Sequence, residues 1–89
     1  MYALIARDKP DHLQTRLDNR PAHLEYLGQS EAVVHAGPLL GNDEKPIGSL
    51  IVLDLPDMAA AEAWAAADPY AKADLFASVE IIHWNKVIG

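Results

Sequence analysis

Apolar positions fall in short runs separated by polar breaks, and the runs are of different kinds. The first, Tyr2-Ala3-Leu4-Ile5-Ala6, is closed by Arg7-Asp8-Lys9-Pro10. It is too short for a helix and predicts a buried strand. Asp11 with Gln14 three residues later has the form of a capping box, after which Leu13, Leu17, Leu24 and Leu27 fall near one helical face. Pro21 interrupts that face. A proline inside a helix costs about 3 kcal/mol, so the pattern predicts two helical pieces, residues 11–18 and 21–28, the second opening on Pro21 and ending at Gly28. His23 then lies in the first turn of the second piece.

Residues 31–36 predict a second strand closed by Gly37-Pro38, and 39–46 a polar loop around Gly41-Asn42-Asp43-Glu44. Residues 47–55 form the most apolar strand candidate. Pro56-Asp57 then starts an Ala-rich helix with Met58, Ala61, Trp64 and Ala65 near one face, stopped at Asp68-Pro69. A short turn through 71–75 leads to a last strand over 79–88. The order strand, helix, strand, strand, helix, strand is the split βαβ pattern. It predicts a single α+β domain over 1–89, ferredoxin-like βαββαβ, with right-handed crossovers and both helices on one face of a four-stranded antiparallel sheet.

A sheet covered on one face alternates apolar with polar residues. Here Leu4 and Ile5, Val33 and Val34, Ile51 and Val52, and Ile81 and Ile82 are apolar in consecutive pairs. The second face therefore needs a cover. A second copy of the chain is the simplest one, which predicts a homodimer packed sheet to sheet; the alternative is that the loop and the carboxyl-terminal tail fold beneath the sheet.

Composition narrows the partners. The 89 residues are 51% hydrophobic and 22% charged, ordinary for one small globular domain. Cysteine is absent, which excludes disulfides and thiolate chemistry. A formal net charge of −6 argues against nucleic acid or an anionic membrane as partner. No apolar run reaches transmembrane length and no basic signal region precedes the first strand; a cytoplasmic protein is expected. The four histidines form no HxH or HxxxH pair, so no metal site is expected, and there is no glycine-rich phosphate loop.

Asp68 stands out because it ends a helix, where the macrodipole disfavours an anion. It can cap a short helix opening on Pro69. It can also meet His23, since antiparallel helices put the start of the first helical region beside the end of the Ala-rich helix. A helix amino terminus disfavours the imidazolium and a carboxylate favours it. Such opposing effects suit a His that acts as general base or acid, with Asp fixing its tautomer.

Several segments together resemble the YciI-like (YCII-related) family of the dimeric α+β barrel group: Asp8-Lys9, Arg16-Leu17, Arg20-Pro21-Ala22-His23-Leu24, Ala36-Gly37-Pro38, Gly48-Ser49 and Ala63-Trp64-Ala65-Ala66-Ala67-Asp68-Pro69-Tyr70. They run nearly end to end. The resemblance implies a ferredoxin-like protomer, a dimer, and a pocket in which the family's His and Asp face each other; by motif position these are His23 and Asp68. It also implies enzymatic activity, one branch eliminating halide from a chlorinated hydroxyquinol. His35 departs from the pattern, because a small or hydroxylated residue is expected before Ala36-Gly37-Pro38.

Around the pair, Ser49 can donate a hydrogen bond, Tyr70 can wall the pocket, Arg20 (or Arg7) can hold an anionic substrate, and His35 can join if it points inward. Each also has a plain structural reading, as strand, core or solvated surface. Trp64 reads as core and Trp84 as sheet or dimer interface. Two function classes fit. One is a cofactor-free enzyme that moves protons on a small organic substrate by elimination, isomerisation or hydrolysis. The other is a ligand-binding or interaction module without catalysis. An RNA-binding sheet would need exposed aromatics on a basic face, which this acidic, aliphatic chain lacks.

Overall fold

The computed structural model describes all 89 residues. Its elements are β1 (Tyr2–Asp8), α1 (Leu13–Gln29), β2 (Val33–Leu40), β3 (Pro46–Leu53), α2 (Met58–Ala67), α3 (Pro69–Lys72) and β4 (Phe76–His83). The strands form one antiparallel sheet in the order β2-β3-β1-β4, the ferredoxin-like α+β arrangement.

The register divides the sheet into two faces. Tyr2, Leu4 and Ala6 pair with Leu53, Ile51 and Ser49. Because side chains alternate along a strand, these share one face. Leu4, Ala6, Ile51 and Leu53 form its buried core, with Leu27, Trp64, Ala65, Phe76 and Ile81 packed against them. The opposite parity puts Ala3, Ile5, His35, Leu39, Leu50, Val52 and Ile82 on the other face. No element of the chain lies over it, and Leu50 and Ile82 stand 41% and 45% exposed.

α1 is one helix, not two pieces. It runs from Leu13 through Pro21 to Gln29. Proline removes only the bond to the carbonyl four residues back, that of Leu17; both residues are solvent-exposed, so water can take the carbonyl. The capping box does not form either. Asp11 is left-handed at φ 59°, a conformation aspartate tolerates, and Gln14 instead bonds Asp18 at 2.8 Å. Gly28 stays within α1, which passes to an extended Ser30. α2 opens where Pro56-Asp57 predicts a start, and Asp57 caps it, Oδ1 accepting from the Ala60 N–H at 2.8 Å.

The boundaries of three strands also move. β2 continues through Gly37-Pro38 to Leu40, because β2 is a sheet edge and a proline there needs no ladder donor. The expected loop over 39–46 tightens to a hairpin turn held by Gly41 N–H to Lys45 O at 2.9 Å. β3 stops at Leu53, before Leu55. β4 starts three residues early, at Phe76, where a left-handed Asp74 (φ 58°) brings the chain beside Asp8. It ends at His83 opposite Tyr2, where its ladder with β1 closes, so Trp84 lies beyond the strand.

Gly48 sets the position of Ser49. A Cβ at Gly48 would run into the carbonyl oxygen of Ala6 on β1. Glycine lets the strands approach closely, and Ser49 is delivered beside Ala6 on the helix-covered face.

Candidate functional site

The buried residues of α1 are both polar: Arg16 and His23. They are seven apart, two helical turns, and so project from the same side. Of the leucines that suggested the inward face, Leu27 packs on the core, but Leu17 and Leu24 are each 47% exposed and stand at the rim of a cleft. That cleft, of about 350 Å³, lies between α1, β2 and β3 and is lined by Arg16, Arg20, His23, Ser49, Ile51 and Tyr70 among others. A larger depression of about 580 Å³ lies between α2 and β4. It is apolar except for Glu62, and a lone carboxylate has no partner for proton transfer, so the smaller cleft is the candidate site.

His23 and Asp68 are 6% and 2% exposed, and His23 Nδ1 lies 2.8 Å from Asp68 Oδ1. The same oxygen accepts the backbone N–H of Tyr70 at 2.9 Å. Asp68 thus caps α3 and holds the imidazole at once. An ionised carboxylate only accepts, so the hydrogen bond requires an N–H at Nδ1, and in the neutral ring with that tautomer Nε2 keeps its lone pair. The route to this contact differs from the one the sequence suggests. His23 lies in the middle of α1, not in a first turn, so no helix amino terminus acts on it. What meets α1 is α3, the short helix that Asp68 opens.

Tyr70 ties the site together. Its ring stacks on the His23 ring, centroids 3.8 Å apart and planes 15° from parallel, while the Arg16 guanidinium carbon lies 4.5 Å from the same ring's centroid. Burial raises the phenol above its ordinary value; Arg16 and Arg20 pull it down, Asp68 adds to the rise, and the net shift is upward. Tyr26 is raised by burial and then by Asp68. Its O–H donates to the Trp64 carbonyl at 2.7 Å, and Trp64 Nε1 donates to Ser30 Oγ at 2.9 Å, which anchors α2 to the last turns of α1.

Arg16 was legible only as part of a motif. It makes a two-point ion pair with Asp8, Nε to Oδ2 at 2.6 Å and Nη2 to Oδ1 at 2.8 Å, and Nη2 also reaches Ser49 Oγ at 3.0 Å. Burial works against its charge, but the hydrogen bonds and attraction of Asp8 outweigh burial, and the guanidinium is held more firmly protonated than usual. The available signal was the spacing of Arg16, Arg20, His23 and Leu27, which runs 4, 3, 4 along one helical stripe.

The structure therefore brings His23, Asp68, Ser49, Tyr70 and Arg20 to one place. His35 is excluded from it. His35 pairs with Val52 and Ala36 with Ile51; Ala36 lines the cleft, so His35 points to the opposite face of the sheet. Arg7 is on that opposite face too, by its alternation with Ala6. No three His, Cys, Asp or Glu side chains converge as a metal cage would need. No helix is long and apolar enough to cross a membrane.

Residues 1–85 match the family model of the YCII-related domain. Protein YciI of Escherichia coli is 34% identical over 74 residues, covering 73% of this chain and 76% of that protein. An uncharacterised protein of Haemophilus influenzae is 36% identical over 95 residues, 97% of each chain. Among solved structures, 5-chloro-2-hydroxyhydroquinone dehydrochlorinase from Burkholderia phenoliruptrix, in complex with 2,5-dihydroxybenzoquinone, is similar with a TM-score of 0.86 at 33% identity, covering 96% of this chain and 94% of that one. An antibiotic biosynthesis monooxygenase at 17% identity and TM-score 0.61, covering 99% of this chain and all of the other (100%), shares the fold alone.

Proposed function

The chain belongs to the YCII-related family, and from that premise we propose that it is a small-molecule enzyme whose own side chains transfer a proton, with His23 as base and Asp68 as the group that orients it. The observation that carries the proposal is the buried 2.8 Å contact of His23 Nδ1 with Asp68 at the wall of a cleft. A neutral imidazole so held presents Nε2 as base and can return the proton as acid. Tyr70 fixes the ring plane, and Arg20 at the mouth draws an anionic substrate. Isomerisation and hydrolysis also use such a base, but similarity to a dehydrochlorinase favours elimination: His23 takes a proton from carbon and a leaving group departs with its bonding pair. The acting form is proposed to be a homodimer. Turnover of halogenated hydroxyaromatic and carbonyl compounds, followed as halide release or as solvent deuterium entering the substrate, tests the reading. His23→Gln abolishes turnover with the fold intact, and adding Asp68→Asn to it costs little more, because the two groups act as one unit. Full turnover by His23→Gln would remove His23 as the base.

A further inference from the structure

Ser49 presents a hydroxyl whose oxygen is engaged and whose proton is not. Its Oγ accepts from Arg16 Nη2 at 3.0 Å, it is 2% exposed, and it lines the cleft. Its own O–H has no acceptor in the protein. Arg16, 3% exposed, stands beside it. Asp8 occupies Nε and one N–H of Nη2 and Ser49 takes another from Nη2, which fixes the guanidinium in place beside the Tyr70 ring. No Asp or Glu lines the cleft, although the chain carries 13 acidic residues against 7 Lys and Arg. This corner places a hydroxyl proton and a positive charge at the cleft, with no carboxylate lining it. A hydroxyl whose oxygen already accepts from Arg16 is left to donate its proton, and at the cleft wall it can do so to an oxygen that enters from outside the chain.

We infer that Arg16 and Ser49 form an oxyanion subsite, which binds one oxygen of a small carboxylate, phenolate or enolisable carbonyl compound. The binding half of this inference is independent of the proposed proton transfer; the catalytic half rests on it. Tyr70 contacts both His23 and Arg16, and all three line the cleft with Ser49, so one small planar molecule in it can meet base and subsite together. With a carbonyl oxygen at Ser49, His23 Nε2 bonds the proton of the neighbouring carbon. The C–H pair becomes a new C=C bond and the carbonyl π pair moves to oxygen. The enolate oxygen accepts the Ser49 O–H and faces the Arg16 charge. Donors fixed before the charge develops, in a site shielded from water, stabilise it without reorganising. Return of the proton to another carbon completes an isomerisation; loss of a group from the adjacent carbon, with its bonding pair, completes an elimination.

The test is an NMR titration of the full chain with benzoate and with 2,5-dihydroxybenzoquinone, against benzamide as the neutral counterpart. Both anions are expected to shift the Ser49 amide and the Arg16 side-chain N–H signals and to bind at least about tenfold tighter than benzamide. Ser49→Ala is expected to weaken the anions about tenfold while leaving benzamide unchanged. Arg16→Lys, if it folds, keeps a charge but loses the Ser49 bond and weakens them further. Benzamide binding as tightly as benzoate, Ser49→Ala binding the anions like the wild type, or no binding of either anion at about 10 mM would each overturn the subsite. Anions held through Ser49 by a protein that never exchanges carbon-bound protons would uphold the subsite and remove the His23 base, so the two failures are distinct.

Discussion

Asp68 Oδ1 receives two N–H groups at once, the His23 ring nitrogen at 2.8 Å and the Tyr70 backbone at 2.9 Å, although His23 and Asp68 are 45 residues apart in the chain. One oxygen therefore fixes the start of α3 and the tautomer of a histidine on α1. A change at Asp68 acts on stability and on the imidazole together, and the two effects separate by substitution. Asp68→Asn keeps a cap on α3 but removes the charge, whereas Asp68→Ala loses both.

The first expected outcome concerns that pair. At a pH where the His23 ring is neutral, nitrogen-15 shifts should show the proton on Nδ1 and a bare Nε2. Asp68→Ala should mix the tautomers and destabilise the fold by about 1 kcal/mol through the lost cap, and Asp68→Asn by less. A wild-type ring protonated on Nε2 would refute the orientation.

The second concerns alkaline pH. Tyr70 and Tyr26 are both raised in the folded chain, chiefly by burial. Below about pH 10 their phenols are protonated folded or unfolded. Above it the unfolded chain gives up protons first, so it binds fewer than the folded chain and stability falls as pH rises through the folded values. Urea melts at about pH 9 and 11 should show the loss, and Tyr70→Phe should reduce it. A stability that rises over this window would contradict the assignment.

Pro21 gives a third. Because α1 runs straight through it, Pro21→Ala restores the bond to the Leu17 carbonyl. The gain is expected at about 1–2 kcal/mol, below the roughly 3 kcal/mol cost of an interior proline because proline also restricts the unfolded chain. No gain in urea melts would mean that water already satisfies that carbonyl fully.

The fourth concerns the bare sheet face. Ile5, Leu50, Val52 and Ile82 lie on it, and light scattering is expected to give a dimer at micromolar concentration. Leu50→Glu and Ile82→Glu, each tried alone, should separate the protomers without unfolding them. A well-folded wild-type monomer would show that the face tolerates water.

Element types and order were set by the sequence itself, because period-2 and period-3.6 patterning is local and four short apolar runs with two helical stretches admit few topologies. Asp68 as a cap, and the helix start at Pro56-Asp57, were legible for the same reason: a helix start is decided within a few residues. The pairing of His23 with Asp68 was readable from motif and topology, but its geometry was not. Whether Pro21 breaks α1 depends on the solvent exposure of Leu17, and which stripe of α1 faces inward depends on what the cleft offers. Pattern reading chose the leucines, and the fold buried Arg16 and His23, because Asp8, Ser49 and Asp68 wait for them there. His35 left the site for a comparable reason. One irregularity near Val34 sets the parity of β2, and parity alone decides which face of the sheet a side chain joins. Alternation is a local rule, but its phase is fixed by the neighbouring strand.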